Sequence, residues 1–71
     1  MNEVNYELRL KVLFNKVAAI NFVIEQMTEQ YHKATTDEDK DMYKQMAIMT
    51  EVSYEDAKLE LITLIAENNQ N

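Results

Sequence analysis

Glycine, proline, cysteine and tryptophan are all missing from this sequence. Glycine and proline break helices and build tight turns, and at ordinary usage a chain of this length would carry roughly eight of them. Without them, and with Leu, Met, Ala, Glu, Lys and Gln common, long uninterrupted helices are expected. The lack of cysteine excludes disulfides, thiolate zinc sites and cysteine nucleophiles. Serine and histidine occur once each, as Ser53 and His32. On antiparallel helices they lie several turns apart, too far for the base to activate the hydroxyl. No glycine-rich loop can cradle a phosphate. A catalytic function is not expected, and neither is a cofactor.

Long apolar runs are scarce as well. The longest, Val17 to Ile24, is eight residues and contains Asn21, against about twenty needed to span a bilayer. Lys16 and Asn21 also interrupt the only segment that could serve as a signal peptide. A cytoplasmic protein without a membrane partner is the expectation. Basic residues are in deficit, with thirteen acids against seven Lys and Arg and a net charge of −6. Residues 1–20 are slightly basic, with Arg9, Lys11 and Lys16 against Glu3 and Glu7, and the rest of the chain is strongly acidic. Phosphate backbones and anionic lipids repel such a chain, so duplex DNA is excluded as a partner.

What is present is a doubled hydrophobic pattern in a single domain, residues 1–71. Tyr6, Leu10, Leu13, Val17, Ile20, Ile24, Met27 and Tyr31 recur at alternating steps of four and three. So do Tyr43, Ala47, Thr50, Tyr54, Ala57, Leu61 and Leu64. Each series is an unbroken heptad seam. The spacing predicts a helix over 3–33, a loop over 34–36, a helix over 37–67 and a frayed tail over 68–71. The break falls in Lys33-Ala34-Thr35-Thr36-Asp37. Thr35 with Glu38 fits a capping box, and Thr36 or Asp37 could be the N-cap instead. His32 and Lys33 suit the end of one helix dipole, and Asp37, Glu38, Asp39 and Asp41 suit the start of the other.

Folding the chain back at residue 35 pairs positions whose numbers sum to 70 or 71. Met27 then meets Tyr43, Ile24 meets Ala47, Ile20 meets Thr50 and Val17 meets Tyr54. Leu13 meets Ala57, Leu10 meets Leu61 and Tyr6 meets Leu64. Several of these layers set a large residue against a small one, as interdigitating cores require. The fold class is all-α, an antiparallel two-helix hairpin.

A second apolar stripe runs along each helix: Leu8, Val12, Ala19, Phe22 and Val23 on the first, Ile48, Val52, Leu59, Ile62 and Ala66 on the second. At about 100° per residue these stripes lie roughly 150° from the seams. A lone hairpin leaves them in water, and exposed apolar area of that extent marks an interface. A core this small also needs support. The hairpin is therefore expected to self-associate into a four-helix bundle or larger helical assembly, with a dimer as the first expectation.

The remaining motifs carry little chemistry. Glu29 and His32 have the Glu-x-x-His spacing of carboxylate-bridged di-metal sites. Met27 and Tyr31 hold the seam, however, so both point away from it and no metal site is expected. The acidic run at residues 37–41 lacks the glycine and alternating oxygen ligands of a calcium loop. Tyr6, Tyr31, Tyr43 and Tyr54 fall on seam positions. Asn5, Arg9 and Lys16 form a polar stripe that could contact structured RNA, or hold a nucleotide signal beside a tyrosine in the oligomer. The main expectation is a non-catalytic protein-interaction module of phage or mobile-element type. It would act as a regulator or inhibitor by occupying the surface of another protein.

Overall fold

The computed structural model describes residues 3–69 and is all-helical. Two helices, α1 (Glu3–Lys33, 31 residues) and α2 (Asp37–Asn69, 33 residues), pack against each other. They form a rod of 53 × 15 × 11 Å. The contacts are antiparallel: Lys16 reaches Glu60 midway along the rod, and Lys40 reaches Tyr31 near its closed end.

The short connection is set by local chemistry. Thr36 is the N-cap of α2, its hydroxyl oxygen accepting from the Asp39 amide at 3.1 Å. That satisfies one of the donors a helix start leaves unpaired. The capping threonine is thus Thr36 and not Thr35. On the other side, Lys40 donates from Nζ to the Tyr31 carbonyl at 3.2 Å and lies 4.9 Å from the Tyr31 ring centroid. It caps a carbonyl in the last turn of α1, where the dipole favours a cation. Lys40 therefore ties the two helices at the turn.

Every seam position is buried or half-buried. Among the described residues the buried ones are Leu13, Ala57, Leu61 and Leu64, all toward the terminal half of the rod. Tyr6, Leu10, Val17 and Ile65 pack against the three leucines. Thr50 occupies a seam position without leaving an unpaired hydroxyl, because Oγ1 donates to the Met46 carbonyl at 2.8 Å. Among the described residues no buried side-chain nitrogen or oxygen lacks a hydrogen-bond partner.

At its far end α2 runs to Asn69, so residues 68 and 69 are helical where the spacing placed a frayed tail. No glycine or proline stops the helix, and Ile65 and Asn68 are half-buried. The remainder of that expected tail, residues 70 and 71, lies outside the described residues.

Candidate interaction surface

The second stripes lie in solvent. On α1, Leu8, Val12 and Phe22 keep more than half their surface exposed, and Val23 is 43% exposed. On α2, Val52, Leu59 and Ile62 are likewise more than half exposed, and Ile48 is 45% exposed. Ala19 and Ala66 are exposed with them. Each stripe lies about 150° around its helix from a seam that faces the other helix. The two stripes therefore run along opposite edges of the hairpin.

Apolar surface extends beyond the stripes. Val4, Phe14, Met42, Met46 and Met49 are also exposed, Met49 to 71%. One face carries an open cleft of about 390 Å³ lined by Ala19, Ile20, Val23, Met49, Thr50 and Ser53. It holds no charged group and no tyrosine. The methionines were not among the expected interface residues, because they fall between the seam and the stripe of α2. Methionine spacing of three and four (Met42, Met46, Met49) is the signal that could have found them.

The polar stripe has a different character. Asn5, Arg9 and Lys16 are exposed on α1, but the neighbouring helix sets carboxylates beside the two cations. Lys16 Nζ lies 3.7 Å from Glu60 Oε2. Arg9 lines a cleft with Asp56, Glu60 and Glu67. Positive and negative groups therefore interleave along this face. A phosphate approaching it meets three acids from α2, which weakens the field a polyanion would follow. Sequence order hid this arrangement because the acids lie some fifty residues downstream of the cations.

At the closed end, Glu29 pairs with Lys33 at 2.9 Å across one helical turn. The hydrogen bond and charge of Lys33 hold the Glu29 carboxyl below its ordinary value of 4.5. The His32 ring stands edge-on to Tyr31, with centroids 5.5 Å apart. Among the described residues no group of three His, Asp or Glu side chains could hold a metal ion. None of the described helices is long and apolar enough to cross a membrane.

The surface thus combines two exposed apolar edges with one face on which an uncharged stretch at Val23, Met49 and Ser53 adjoins the interleaved charges of Arg9, Lys16 and Glu60. No family model, curated protein or solved structure matches this chain.

Proposed function

We propose that this chain is a small non-catalytic interaction protein that self-associates and acts by occupying the surface of a partner protein, as a regulator or inhibitor does. One observation carries the reading. Eight of the apolar stripe residues are 43–64% exposed on a hairpin with only four buried side chains among its described residues. Removing apolar area from water is worth about 25 cal/mol per Å², so contact along these edges is favourable, and monomeric proteins rarely leave so much of it open.

A protein is the partner class favoured over nucleic acid, because α2 is strongly acidic and its carboxylates flank the cations of α1. The test is affinity capture from a bacterial lysate with the wild-type chain and with Phe22→Asp, each with and without nuclease. The reading expects a captured protein that survives nuclease and is lost with Phe22→Asp. Capture that nuclease abolishes, or that the substitution leaves intact, contradicts it. A duplex DNA titration at physiological salt is expected to show no binding.

A further inference from the structure

We infer that each open edge of the hairpin is built for a second copy of the same chain, the α1 stripe of one copy lying antiparallel against the α2 stripe of the next. The proposal rests on the self-association reading above and specifies its contact. It is carried by a match between the two edges that neither helix needs for its own fold.

Paired in the register of the hairpin itself, positions summing to 70 or 71, the outer stripes fit layer by layer. Leu8 meets Ile62 and Val12 meets Leu59 near one end. Phe22 meets Ile48 and Ala19 meets Val52 in the middle. The polar interruptions coincide too. Asn15 falls level with Glu55, where its amide can donate to the carboxylate, and Gln26 falls level with Gln45, where two amides can pair. A slip of one helical turn would set Glu55 against Val12 or Ala19 and bury its charge beside a methyl group, which is costly. The polar layer thus fixes the register, as buried polar residues do in coiled coils.

The flanks add charge complementarity. Beside this contact Lys16 is level with Asp56, Glu25 with Lys44, and Val23 with Met49. Lys11 and Lys58 form one like-charge pair at the rim. Over the described residues α1 carries equal numbers of acids and bases, whereas α2 has nine acids against three lysines. Two α2 edges repel each other, so α2 is better matched to α1.

Because the edges lie on opposite sides of the rod, one neighbour covers one edge and leaves the other open. Adjacent contacts in a square four-helix bundle make roughly a right angle at each helix, and these make about 150°. The contact is therefore heterologous, and the assembly extends head to tail instead of stopping at a dimer.

Val12→Glu blocks the α1 edge and Leu59→Glu blocks the α2 edge, so each alone keeps one edge that its own copies cannot use. Sedimentation velocity is expected to show wild type growing in mass with concentration, each variant alone monomeric, and an equimolar mixture forming a 1:1 dimer. If either variant unfolds when alone, mixing is expected to restore its helical circular dichroism together with the dimer. If one variant alone still dimerises, the contact joins like edges and the proposal fails while self-association stands. If wild type itself stays monomeric, both fail. Lys58→Glu provides a variant that needs no disruption. It converts the rim pair with Lys11 to opposite charges and is expected to tighten association roughly two- to fivefold at low salt. General repulsion from its added negative charge would weaken association instead, and that result would overturn the register.

Discussion

Leu13 is 6% exposed and Val12, one residue earlier on the same helix, is 64% exposed. Leu61 and Leu59 on α2 differ in the same way, at 9% and 63%. These residues are chemically alike and recur at the same heptad spacing, yet one set forms the core and the other forms the surface. The difference lies only in direction around the helix. Two helices can shield one stripe each, and this chain encodes two per helix. The inner seam accounts for the hairpin, and the outer stripes are apolar area for which the hairpin itself has no use.

Substitutions that introduce a charge on either side of this divide test it most severely. Leu13→Asp places a carboxylate against Ala57 with no partner. It is expected to cost more than about 3 kcal/mol and to abolish helical circular dichroism. Leu59→Asp is expected to leave the seam intact and to abolish association at concentrations where the wild type assembles. If dilute Leu59→Asp is as unfolded as Leu13→Asp, inner and outer stripes are not separable in this protein. Concentration must be varied in that comparison, because an obligate assembly links folding to association.

Smaller effects sharpen the account of how the seam is closed. Thr36→Ala removes the acceptor for the Asp39 amide and is expected to lower stability by about 1 kcal/mol, read as a lower urea midpoint, while Thr35→Ala leaves it unchanged. The smallest effect is at Glu29. Its carboxyl is held below 4.5 in the fold, so its contribution is present above that pH and is lost as the pH falls through the lowered value. Glu29→Gln is expected to flatten that slight acid-side slope, and the change is small because the Lys33 pair is exposed.

The hairpin was legible because its signal is periodic and redundant. Fifteen seam positions keep one spacing, and the fold-back pairs them without a slip, so no single residue decides the outcome. The edges were legible for the same reason. Features that depend on one side chain were not. Lys40 reads as a solvated lysine inside an acidic run, and only the approach of α1 reveals it as a cap on Tyr31. Thr35 and Thr36 are equivalent caps on paper until the turn geometry selects Thr36. Ile65 belongs to neither series and still packs on the core, because it follows Leu61 by one turn on the same side of α2. Arg9 and Lys16 looked like a basic stripe because Asp56, Glu60 and Glu67 reach it only through the fold.

The central claim is that the outer stripes join copies of this chain. Its most direct test is the mass of the wild-type protein in solution, measured by sedimentation or light scattering from the micromolar range upward. The account predicts a mass that exceeds the monomer in the micromolar range and keeps rising with concentration. A constant mass of 8.4 kDa across that range would contradict it.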